Sequence, residues 1–277
     1  LRVSYASGRF RADAFAGFRV DLGARRPSRL DRDSRIAGLS LQFGAGPGEG
    51  VVEPYVLWRR GGRTLDLRDR PGHRDAVTPG VRVQGELPRN FDYNFEVALQ
   101  RGHVAGDRLV AWAGHWGAGW KPLGRELGPR LECEFNYASG DADPADGRHN
   151  TFDDLYPASF NQYGIADPFA WRNIRYPAAS LEIPLAWNWT ILGGVRAYWL
   201  ATSADGLYPG GDSYLPKAEG APGSHIGNQI LLSAVYARSP GSRVQGGYGY
   251  LFPGAYLRHG GHSSAAKALY LLASLAF

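Results

Sequence analysis

Apolar and polar residues alternate with a period of two along nearly the whole chain. Between Arg9 and Leu22, one face carries Phe10, Ala12, Ala14, Ala16, Phe18, Val20 and Leu22. The other carries Arg9, Arg11, Asp13, Arg19 and Asp21. Such contrast belongs to a strand with one apolar and one polar face. It returns at Phe91, Tyr93, Phe95, Val97 and Leu99 against Asp92, Asn94, Glu96 and Gln100. It returns again at Leu131, Cys133, Phe135 and Tyr137 against Arg130, Glu132, Glu134 and Asn136. The pattern predicts strands near 1–6, 9–22, 36–43, 51–60, 79–87, 91–102, 108–119, 129–138, 177–186, 188–201, 226–237, 243–252 and 265–277. Most approach the ~9–11 residues that a tilted strand needs to cross a bilayer.

The predicted connections alternate as well. Short ones fall at 7–8, 44–50, 88–90, 120–128, 186–187 and 238–242. Longer ones fall at 23–35, 61–78, 139–176, 202–225 and 253–264, with 102–107 a short exception among them. Short turns at one rim and long loops at the other mark a membrane barrel, whereas a soluble β-sandwich predicts no such asymmetry. The expected fold class is all-β, a transmembrane antiparallel β-barrel with about thirteen visible strands. It forms a single domain over residues 1–277. A closed sheet satisfies every backbone N–H and C=O in hydrocarbon. Trp58, Trp112, Trp116, Trp120, Trp199 and Tyr236 share the apolar parity, and several sit near strand ends, where interfacial aromatic girdles belong. The odd strand count, a first strand starting at the long-loop side, and a chain opening on Leu1 rather than Met create the expectation that N-terminal strands precede this sequence.

Composition agrees with many strands and turns: 8 Trp, 15 Tyr, 12 Phe and 38 Gly. No run approaches the ~20 apolar residues of a helical span. The formal net charge of +5 comes without a Lys/Arg tract, which argues against a nucleic-acid partner. Cys133 is the only cysteine, so neither an intramolecular disulfide nor a cysteine metal site is expected. There is no Gly-x-Ser-x-Gly elbow and no His pair at metal-ligand spacing, so neither an enzyme nor a cofactor is expected. The segment 139–176 holds Asp141, Asp143, Asp146, Asp153 and Asp154. These acids suit either a Ca²⁺ ion or a set of Asx turns. The same segment holds Phe152, Tyr156, Phe160, Tyr163, Phe169 and Trp171, too many aromatics for a solvated loop. It is expected to fold into the lumen or pack over the mouth.

Polar parity sends charges into the lumen. The residues expected along a solute path are Arg19, Arg59, Arg82, Glu96, Arg130, Glu134, Glu182 and Arg196. Arginine is a two-point carboxylate ligand, so such a lining can select an anionic solute. Equally, the opposed charges can satisfy one another and stiffen the wall. A turn centred at Arg89 would place Leu87 opposite Phe91, Arg82 opposite Glu96, Gln84 opposite Asn94 and Glu86 opposite Asp92. The acid pair then needs a base, and Arg130 or Arg243 near the same rim could supply it.

Several stretches carry a family resemblance. YASGDADPADGRHNTFDDLYPASFNQYGIADPFAWRNI at 137–174 is the most specific. With it go VRVQGELPRNFDYNFEVALQRG at 81–102, DRLVAWAGHWGAGW at 107–120, GYGYLFPGAYL at 247–257 and the terminal YLLASLAF. In these the chain resembles the alginate-export family of bacterial outer-membrane porins. The resemblance implies a barrel of about eighteen strands, more than this sequence displays. It also implies location in the bacterial outer membrane and passive passage or export of an anionic polysaccharide such as alginate. A general, sugar or small-solute porin is the alternative. The expected partners are membrane lipid, the polysaccharide or small solutes, and periplasmic export components.

Overall fold

The computed structural model describes residues 1–21, 29–44, 50–65, 68–124, 128–155, 168–209, 214–239 and 241–275. These form one antiparallel sheet. Its strands are β1 (Arg2–Ser7), β2 (Phe10–Asp21), β3 (Arg29–Gly44), β4 (Val51–Leu65), β5 (Pro71–Leu87), β6 (Phe91–Val104) and β7 (Asp107–Trp120). They continue with β8 (Arg130–Ala138), β10 (Ile174–Pro184), β11 (Trp189–Leu200), β12 (His225–Ser239), β13 (Ser242–Pro253) and β14 (Ala266–Leu275). Each strand pairs with its neighbours in chain order, and the two-residue β9 (Arg148–His149) adds to β7 in parallel. Among the described residues, β1 pairs only with β2 and β14 only with β13. A short helix, α1 (Ala255–His259), follows β13.

The distribution of side chains is inverted relative to a water-soluble protein. Leu99, Phe135, Ile230 and Leu232 are 42%, 43%, 50% and 57% exposed, while Gln100 is 0% exposed and Asn136 only 3%. The pairing explains how a continuous apolar exterior arises. Val56 lies opposite Leu39 and Pro79, Phe95 opposite Val83 and Trp116, and Trp116 opposite Phe135. Farther round, Val195 lies opposite Ile230, and Tyr248 opposite Leu232 and Leu269. Strict alternation transmits one face through every register, so the lipid-facing band is written into each strand separately.

The buried apolar cluster lies at the long-loop end. It joins Ala76, Leu109 and Ala113 of β5–β7 to Tyr198, Ile226 and Leu251 of β11–β13, through Phe152, Leu207 and Tyr256 of the loops and α1. Loops that touch both halves of the sheet require the sheet to curl around them. The sequence-predicted inward folding of the long loop is thus observed for Phe152, Phe169 and Trp171. Tyr156, Phe160 and Tyr163 lie outside the described residues.

Several boundaries differ from the sequence reading, and β4 runs on to Leu65, five residues past the expected 60. β3 and β5 begin seven or eight residues earlier than the expected 36 and 79, at Arg29 and Pro71. The hairpin ladders continue beyond the lipid boundary, where either face can be polar, so alternation fades while hydrogen bonding persists.

Candidate functional site

The lining is built from residues that share transverse registers on the inner face. One register carries Glu53, Arg82, Glu96, His115 and Asn136 across β4–β8. Arg82 thus stands between two acids. It forms its ion pair with Glu53, while Glu96 accepts from the Tyr55 hydroxyl at 2.6 Å. The expected opposition of Arg82 and Glu96 is observed as a register neighbour, but the salt bridge goes to the other acid. Tyr55 reaches Glu96 by lying over Gly80, where a Cβ would meet its ring. Ser40 on β3 donates to Glu53 at 2.5 Å, extending the chain of contacts.

A second cluster sits toward the short-turn end. Glu86 and Asp92 face each other as the turn centred at Arg89 dictates. Arg130 bridges two acids at this end, donating to Asp92 at 2.6 and 3.0 Å and to Glu132 at 2.9 and 3.1 Å. Arg130 is on β8 and Asp92 on β6, so the guanidinium crosses β7 at Gly119, where any Cβ would collide with both partners. Here glycine serves close approach, leaving room for a charge bridge over an intervening strand. His115 places its two ring nitrogens against the side-chain amides of Asn136 and Asn94.

The third cluster joins the long loop to the wall. Asp153, with its side chain 2% exposed, contacts three guanidiniums: Arg59 of β4 at 2.6 Å, Arg74 of β5, and Arg172 at 3.4 Å. Arg172 also holds Asp154 at 2.7 Å. Burial alone would raise the Asp153 pKa, but the three positive charges outweigh it and hold the carboxyl below its ordinary value. The Gln100 side chain adds a strand-like pair, donating to the Asp153 carbonyl at 2.7 Å and accepting from its N–H at 2.8 Å. Nearby, Arg68 and Arg70 both reach Asp107 at 2.6 Å. Five guanidiniums therefore surround three carboxylates at the loop-lined mouth.

Of the residues expected from sequence, Arg82, Glu96, Arg130 and Glu134 lie on adjoining strands of one inner surface. Glu134 and Arg196 flank Ala178 in one register and line a common pocket with Ser180, Ser233 and Tyr270. Glu182 lies opposite Arg130. Arg59 belongs to the mouth cluster. Arg19 stands apart, opposite Asp31 beyond a bulge in the β2–β3 ladder. Sequence reasoning missed Arg74, Arg172 and Gln100. Arg74 fell in a stretch read as loop, and only the fold brings Asp153 to it.

The remaining loop acids are occupied locally. The carboxylates of Asp141, Asp143 and Asp146 accept from the backbone N–H of Asp143, Ala145 and Arg148 at 3.1, 3.0 and 2.7 Å, forming the Asx turns. Asp205 accepts from Thr151 Oγ1 at 2.5 Å, the Tyr208 hydroxyl at 3.0 Å and the Asp141 N–H at 3.1 Å. Burial pushes the carboxyls of Asp205 and Asp141 above the ordinary range. Among the described residues, no group of three His, Cys, Asp or Glu side chains is placed to hold a metal ion.

A search of curated proteins found no match. Among solved structures, a NanC porin in a rhombohedral crystal form is similar at 8% identity and a TM-score of 0.41, covering 97% of this chain and 99% of that one. A family model described as alginate export matches residues 1–270. With an apolar exterior, a charged interior and a match over nearly its whole length, the chain belongs to the alginate-export family and is a bacterial outer-membrane pore.

Proposed function

We propose that a single barrel domain provides passive passage for an anionic polysaccharide such as alginate. The observation that carries this reading is the guanidinium excess at the mouth. Arg59, Arg74 and Arg172 meet Asp153 and Asp154, and Arg68 and Arg70 meet Asp107. Positive charge in a confined, partly desolvated mouth attracts carboxylates, and planar guanidiniums suit them geometrically. Arg19, Arg82, Glu96, Arg130, Glu134, Glu182 and Arg196 complete the proposed path, with Glu53 holding Arg82 and with Asp92 and Glu132 holding Arg130. Family membership supports the same reading.

A second reading, a general or sugar porin, is favoured by the opposite end of the lumen. There, on β5, β6, β8 and β10, Glu86, Asp92, Glu132, Glu134 and Glu182 outnumber Arg130 among the described residues. Single-channel recording separates the two. Oligouronate added to the long-loop side should block the current in a concentration-dependent way, and a neutral oligosaccharide of equal length should block far less. Equal block by both sugars favours the general porin and removes support for an anionic cargo.

A further inference from the structure

The outward face carries an asymmetry that transport does not use. At the short-turn end it is mainly apolar and aromatic among the described residues: Leu87, Phe91, Trp120 and Leu131 follow one another in register, and Trp189 packs on Tyr236 at 5.2 Å. At the long-loop end the same face turns basic. One register runs Arg35, Arg60, Asp75, His103, Arg108 and Arg148 across β3–β7 and β9. Arg101 lies one outward position below His103, opposite Val77 and Val110.

The alternation assigns these side chains to the exterior. Arg35, Arg60, Arg101, Arg108 and Arg148 are all exposed, while their chain neighbours Ser34, Gly61, Gln100, Asp107 and His149 are buried. Among the described residues none of these five arginines forms a salt bridge. The one acid in the register, Asp75, accepts from Trp58 Nε1 at 2.8 Å. Arg35 and Arg60 stand directly opposite each other, and Arg35 turns to the Arg32 carbonyl at 3.1 Å and to the Phe18 ring rather than to an acid.

We propose that this belt binds the phosphates of a phosphorylated glycolipid in the outer leaflet. The belt continues the lipid-facing band upward to headgroup height, at the rim that carries the long loops. Strands ~4.8 Å apart present guanidiniums at a spacing that lets neighbouring arginines share one phosphate. Arginine rather than lysine at all five positions suits two-point recognition of phosphate oxygens. The apolar and aromatic rim at the other end suits a leaflet without that demand.

The test is native mass spectrometry of the folded protein titrated with bisphosphorylated lipid A, with the same lipid after removal of its phosphates, and with phosphatidylglycerol. The wild type should bind the bisphosphorylated form about tenfold or more tightly than the dephosphorylated form, and added salt should weaken that preference. The Arg60→Gln, Arg101→Gln, Arg108→Gln triple variant should lose the preference. Equal binding of the two lipid A forms by the wild type overturns the proposal without recourse to any variant. So does an undiminished preference in a folded triple variant. Phosphatidylglycerol binding as tight as bisphosphorylated lipid A would reduce the belt to general anion attraction and overturn the assignment to a glycolipid.

Discussion

Replacing Asp153 by Asn removes one charge from a site that three guanidiniums share. Arg59 and Arg74 then lose their carboxylate, whereas Arg172 keeps Asp154 at 2.7 Å. The amide oxygen of Asn can still accept from one of them. The bonds from Gln100 go to the backbone of residue 153 and survive the change. A charge-assisted hydrogen bond contributes roughly 1.5–3 kcal/mol, and breaking a buried ion pair costs about 3–5 kcal/mol. With a side chain only 2% exposed, solvent cannot compensate, so we expect about 3–5 kcal/mol. The loss falls on docking of the loop, because no strand ladder passes through residue 153. At 1.4 kcal/mol per decade, the undocked population rises by about two to four powers of ten. Limited proteolysis of the protein in lipid vesicles reads this out, with cleavage between β8 and β10 accelerating while the barrel band stays intact. A cleavage rate within twofold of wild type would refute the claim that this cluster pins the loop. Whole-barrel unfolding at the same denaturant would refute its local character.

Four further outcomes follow from other parts of the molecule. Asp153, held low, contributes stability that is present above the ordinary carboxyl pKa and lost as pH falls through its depressed value. Asp205 and Asp141, pushed up by burial, contribute in the reverse sense, fully below the ordinary value and fading as pH rises through the raised one. Amide protection at Asp141 and Gly206 should therefore be greater at about pH 5 than at about pH 8, and Asp205→Asn should flatten the difference. Unchanged protection across that range would contradict the assignment. Val97→Arg puts a charge on the lipid face between Val81 and Gly114 and should cost about 2–4 kcal/mol in urea titrations from lipid vesicles, a neutral effect counting against that orientation. Gly119→Val should obstruct the Arg130–Asp92 bridge at a cost of about 1–3 kcal/mol, and the cost should shrink in an Arg130→Gln background.

How much of this was legible in the sequence depends on the range of the interaction. Thirteen strands follow from local alternation, because each strand in a barrel faces lipid on one side and water on the other. The register of β5 and β6 follows from the Arg89 turn, since turn geometry alone sets which residues oppose. That a base at the short-turn rim meets Asp92 is also legible, because it needs only the alternation of turns and loops, but the choice of Arg130 over Arg243 is not. The choice of Arg82 between Glu53 and Glu96 is not, since both acids flank it in register and only rotamer packing with Tyr55 decides. The mouth cluster lay furthest from view. It unites Arg59, Arg74, Asp153 and Arg172 through a loop whose path is tertiary, and Arg74 sits where alternation has already faded.

The central claim is that the lumen favours anionic cargo, and the reversal potential of the unmodified pore in a salt gradient tests it most directly. The guanidinium excess at the mouth predicts a potential on the anion-selective side, with selectivity shrinking as ionic strength rises. A cation-selective potential at low salt would mean that Glu86, Glu132, Glu134 and Glu182 govern permeation, and would contradict passage of an anionic polysaccharide.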